Sequence, residues 1–111
     1  MEKRWSERKE LSVGVDIYQQ GELLDSCFSR DIGLGGAFLG TEAALPMYED
    51  SDVELVFHLE SEGQSSQHKI NARVTRVSEN GVGFKFRDFD TGVFRSLQEI
   101  MSYNNSSTDA H

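Results

Sequence analysis

Apolar residues recur at every second position in several stretches of this chain, and that period constrains the fold more than any other feature. Leu11, Val13, Val15 and Ile17 alternate with Ser12, Gly14 and Asp16. Val53, Leu55, Phe57 and Leu59 alternate with Glu54, Val56 and His58. Ile70, Ala72 and Val74 repeat the pattern, and Val82, Phe84 and Phe86 repeat it again. Successive side chains of a strand point to opposite faces, so a period of two marks strands with one face buried. The segments between them carry turn chemistry. Gln20-Gly21 reads as a turn, and Asn80-Gly81 as a tight hairpin whose two positions tolerate positive φ.

The remaining segments fill in the order. Residues 22–30 are a candidate strand with an ambiguous inward face: Leu24, Ser26, Phe28 and Arg30 lie on one side, Leu23, Asp25 and Cys27 on the other. Gly33, Gly35 and Gly36 break that pattern, and a short strand resumes at Ala37-Phe38-Leu39. Residues 40–51 hold the single proline, Pro46, and read as a loop. Residues 60–67 read as a polar hairpin connection. Val77 is out of phase with Ile70, Ala72 and Val74, which predicts a bulge near Thr75 and Arg76. The period then changes. Val93, Phe94, Leu97, Ile100 and Met101 fall at helical spacing, with Asp90 or Thr91 as N-cap. The expected fold is all-β: a small six-stranded antiparallel barrel with one C-terminal α-helix over an open end. Residues 1–10 read as a flexible basic lead-in, 11–103 as the barrel and helix, and 104–111 as a disordered polar tail.

Composition narrows the function. At 111 residues the chain is one domain, and a hydrophobic fraction of 37% supports a modest core. The net charge of −8 disfavours nucleic-acid partners, which demand cationic surface. The same balance disfavours docking on anionic lipid. No apolar run approaches the roughly 20 residues of a membrane span, and no signal-peptide core follows Met1-Glu2-Lys3-Arg4-Trp5. The single cysteine, Cys27, has no partner for an internal disulfide. These features predict a cytoplasmic protein without membrane insertion.

Two clusters carry the chemistry. Arg4 and Arg8 form an Arg-x-x-x-Arg pair, and Asp31-Ile32-Gly33-Leu34-Gly35-Gly36 sets an acid before a glycine-rich turn. Arginine forks suit guanine O6/N7 and phosphate, and an Asp beside open backbone accepts from the N1–H and N2–H₂ edge of guanine. Together they suggest a pocket for a guanine-bearing, doubly anionic ligand. Each cluster also has a plain structural reading: a solvated basic tail for the arginines, and a strand-to-strand turn with a capping Asp for the second.

Taken together, these clusters and the closing hairpin Asn80-Gly81-Val82-Gly83-Phe84 resemble the PilZ family, over roughly residues 3–103. That family pairs an Arg-x-x-x-Arg lead-in with an Asp/Asn-x-Ser-x-x-Gly turn and binds the bacterial second messenger cyclic di-GMP. The resemblance implies a ligand on the barrel's outer surface, with Arg4, Arg8, Asp31, Gly33 and Gly36 as its site and Lys3 as a weaker phosphate contact. The chain departs from the family pattern at Gly33, where the pattern has Ser. The resemblance further implies a cytoplasmic receptor or adaptor, not an enzyme, that signals to an effector protein by ordering its N-terminal segment. Such proteins act in biofilm formation and motility. The alternative is a PilZ-like interaction module without ligand binding, in pilus assembly or motility.

Other candidates carry less. Arg76 reads as an outward strand arginine rather than a ligand contact. His58 and His68 read as surface histidines, too few for a metal site. Cys27 reads as a strand residue without a histidine partner. No cofactor is expected.

Overall fold

The computed structural model describes residues 9–41, 48–61 and 63–102. Seven strands and one helix follow in order: β1 (Lys9–Glu10), β2 (Gly14–Gln19), β3 (Glu22–Ile32), β4 (Gly36–Gly40), β5 (Asp52–Ser61), β6 (Gln64–Ser78), β7 (Gly81–Phe86) and α1 (Thr91–Ser102). All pairings are antiparallel, in the order β1-β3-β2-β5-β6-β7-β4, and a further β3–β4 pairing closes the sheet. Six strands therefore form the expected closed ring, which leaves no free edge among them. The seventh, β1, continues the line of β2 along the same edge of β3. Lys9 lies opposite Ile32 and Glu10 opposite Asp31. The last two residues of the expected lead-in are thus paired.

The break between β1 and β2 is bridged by Ser29. Its buried hydroxyl donates to the Leu11 carbonyl and accepts from the Val13 N–H at 2.9 Å. A shift in β3 register between Ser29 and Asp31 accompanies the break. These features resolve the ambiguous strand. Ser29 is buried and Cys27 packs against the core, whereas Phe28 is 62% exposed.

The core follows the alternation. Val15, Ile17, Leu55, Phe57, Ile70, Val74, Val82 and Phe84 are all buried, in one cluster that Leu97 and Ile100 of α1 enter from the helix. Asp90 caps α1, its Oδ1 accepting from Val93 N–H at 2.9 Å. Phe94, on the expected apolar stripe, is instead half-exposed, because the buried line runs through Leu97 and Ile100. The expected bulge is present, as a register shift between Val74 and Arg76.

Two hairpins gain detail. Residues 60–67 do connect a hairpin, and β5 and β6 stay paired within them out to Ser61 and Gln64. The β6–β7 hairpin turns at Glu79 and Asn80, with Ser78 paired to Gly81, and Asn80 has no positive φ. Gly81 takes the special conformation instead, at φ 156°.

Candidate functional site

Asp31, Gly33 and Gly36 come together in the β3–β4 turn. Gly33 N–H donates to the Gly36 carbonyl at 2.8 Å, closing the turn, and Phe86 N–H donates to the Gly35 carbonyl at 2.9 Å, tying it to β7. Gly36 is opposite Lys85, and a Cβ there would stand 2.1 Å from the Phe84 carbonyl oxygen. Close approach of β7, rather than a positive φ, therefore accounts for this glycine. Gly33 is buried, and it too has no positive φ.

Asp31 lines a cavity of about 390 Å³ on the barrel's outer surface. Its walls include Phe38, Thr75, Arg76 and Gly83. Strand register explains the gathering. Asp31 lies opposite Phe38, Phe38 opposite Gly83, and Gly83 opposite Arg76, so one row crosses β3, β4, β7 and β6. Gly83 puts no side chain in that row, and the Arg76 guanidinium reaches over the Phe38 ring, 5.9 Å from its centroid. Arg76 is outward, as expected, yet it borders the same cavity as Asp31. The neighbouring bulge was the only sign of this in the sequence.

Arg4, Arg8 and Lys3 lie outside the described residues, as does the expected tail. Lys9, bonded to Arg8, is placed at the turn by its pairing with Ile32, and its Nζ donates to the Met101 carbonyl in the last turn of α1 at 2.7 Å. A cation at a helix C-terminus meets unsatisfied carbonyls and the negative end of the dipole. A second recess, of about 440 Å³, is lined by Phe28, Arg30 and Thr41 among others, and contains none of the expected site residues.

The other candidates have structural partners. His58 Nε2 is 2.9 Å from Asp16 Oδ2, whose second oxygen accepts from Ser26 at 2.7 Å. His68, expected at the surface, is covered by α1, with Nδ1 3.0 Å from Ser96 Oγ. Burial, with Asp25 and Asp16 nearby, pushes the Cys27 thiol up to about 12, which suits a packing residue rather than a nucleophile. Among the described residues no cluster of metal-ligating side chains forms, and no helix is long and apolar enough to cross a membrane.

A closed six-stranded antiparallel barrel with one C-terminal helix and an Asp-and-glycine turn between β3 and β4 defines the class of fold. Residues 2–103 match the PilZ domain family, and the chain belongs to it. Solved structures share the fold at low identity. The PilZ domain of CeSA from a cellulose-synthesizing bacterium aligns with a TM-score of 0.71 at 16% identity, over 87% of this chain and 97% of that one. The PilZ domain of YcgR from Escherichia coli, solved with c-di-GMP, aligns at 0.72 and 17% identity, over 97% and 96%. The Bacillus subtilis inhibitor of motility MotI/DgrA aligns at 0.73 and 19% identity, over all of this chain and 55% of that one. No curated protein matches the chain significantly in sequence.

Proposed function

We propose that this chain is a cytoplasmic receptor for cyclic di-GMP that signals to an effector protein and catalyses no reaction itself. The observation that carries the reading is the position of Asp31: it stands at the family's turn and lines a cavity large enough for a nucleotide. In this reading its carboxylate accepts from the N1–H and N2–H₂ edge of one guanine. Arg4 and Arg8 supply forks for phosphate and for guanine O6/N7. Pairing of Lys9 with Ile32 supports their part, because it brings the chain that bears them to the turn. Capture of the ligand fixes that segment against the barrel, and an effector reads the altered surface. The YcgR domain solved with c-di-GMP has the same fold, which is consistent with such a ligand.

A second reading has one observation in its favour. Gly33 offers no hydroxyl where the family pattern has Ser, as in a module that works through protein contacts alone. Calorimetric titration separates the two. Cyclic di-GMP is expected to bind at micromolar affinity or tighter, about −8 kcal/mol or better. Cyclic di-AMP is expected to bind far more weakly, because adenine presents a donor at N6 where guanine O6 accepts. GTP serves as control. Equal affinity for the two cyclic dinucleotides, or no heat from either, rejects the receptor reading.

A further inference from the structure

We propose that Arg76, laid over Phe38, is the platform on which the guanine held by Asp31 stacks, which makes Arg76 an affinity-determining residue outside the Arg4, Arg8 and Asp31 constellation. The inference rests on the receptor reading and adds a face to the edge contact that Asp31 makes.

Three observations support it. Asp31, Phe38 and Arg76 border one cavity, so a base whose edge meets the carboxylate has the guanidinium within its reach. A guanidinium is planar and weakly hydrated, and it stacks on aromatic rings and bases alike. Here the guanidinium carbon already stands over the Phe38 ring, 5.9 Å from its centroid. Arg76 is exposed and lines the cavity, so a ligand seated there meets the same group. The opening is built into the register: Gly83 stands between Phe38 and Arg76, and a Cβ there would come within 3.3 Å of Thr75 Oγ1 and 3.7 Å of both Arg76 Cβ and Phe38 Cδ1. A side chain at residue 83 would fill the recess that the base needs.

Phe38 also has a structural duty. Its ring covers Gly81 and Gly83, as aromatic residues cover strand glycines elsewhere. Arg76 is exposed and carries no such duty, so the test is made at Arg76.

The test follows the amide resonances of Gly36 and Gly83 while wild type, Arg76→Ala and Arg76→Lys are titrated with cyclic di-GMP. Wild type is expected to shift at both glycines. Arg76→Ala is expected to bind about ten-fold more weakly or worse, to lose the Gly83 shift, and to keep its melting temperature. Arg76→Lys is expected to recover only part of the loss, since an ammonium keeps the charge without the plane. Unchanged affinity in Arg76→Ala overturns the platform and leaves the receptor reading intact. Full recovery with Lys overturns stacking in favour of a point charge. A lower melting temperature in Arg76→Ala that accounts for all of its weaker binding makes the residue structural and overturns the proposal. Absence of any shift in wild type rejects the receptor reading, and the platform falls with it.

Discussion

Gly33 and Gly36 share one turn, and at Gly36 a neighbouring strand excludes a side chain. A side chain at Gly36 collides with the Phe84 carbonyl, which belongs to the backbone and cannot swing away. Gly36→Ala is therefore expected to push β4 from β7 and cost about 1–3 kcal/mol of stability, the usual range for overpacking. Gly33 has no positive φ, so its backbone accepts an L side chain. Its burial requires that a serine hydroxyl find a partner. Gly33→Ser is expected to strengthen cyclic di-GMP binding by about 0.5–1.5 kcal/mol, the value of one neutral hydrogen bond. Thermal unfolding and titration of both variants check the pair. If Gly33→Ser lowers melting temperature and affinity together, this turn has its own geometry. The sequence marked both glycines as a turn. The family pattern, with Ser at 33 and Gly at 36, separated them, but the reason did not show, because the atom that excludes a Cβ at Gly36 belongs to β7, far along the chain.

At the scale of elements, β2, β5, β6 and β7 were legible because each keeps its apolar residues in phase. The helix was legible for the same reason at another period. The faces of β3 were not, because Leu24 and Phe28 share a side with Ser26 and Arg30 while the inward positions include Cys27 and Ser29. What settles the strand is the Ser29 hydroxyl in the gap between β1 and β2, a contact that no local pattern announces. The outer face of β3, β2 and β5 carries the trio Ser26, Asp16 and His58. Burial alone would raise the Asp16 carboxyl. The hydrogen bonds from Ser26 and His58, with the charge of His58, outweigh it and hold the group below its ordinary 3.8. A depressed carboxyl contributes stability that is fully present above 3.8 and is lost as pH falls through the lower folded value. Asp16→Asn is thus expected to melt below wild type at neutral pH, by an amount equivalent to about 0.5–1 kcal/mol for so accessible a pair. The gap is expected to close in acid, where wild type carries a protonated carboxyl that resembles the amide. Melting curves over that range check it, and a gap that persists in acid assigns the loss to packing.

At the scale of the whole molecule, the proposed receptor divides its ligand contacts between the barrel wall and the segment before it. The ring is closed by β3–β4 pairing, and among the described residues the buried core starts at Leu11. Barrel, helix and turn were readable because each is written in consecutive residues. The row Asp31–Phe38–Gly83–Arg76 was not, because it exists only when four strands are in register. The net charge of −8 sharpens the point: the molecule as a whole repels an anionic ligand, so attraction must come from a few local cations. Arg4→Ala and Arg8→Ala, singly, are each expected to weaken cyclic di-GMP binding by about 2 kcal/mol or more, as charged hydrogen bonds are lost. The double variant is expected to bind at the level of the cyclic di-AMP control. All three are expected to melt within a degree or two of wild type, since the proposal gives both arginines a part in binding and none in the core. Parallel calorimetry and thermal unfolding decide the matter. If an arginine variant melts much earlier, that arginine supports the barrel, and the ligand must then be held by the Asp31 cavity without it.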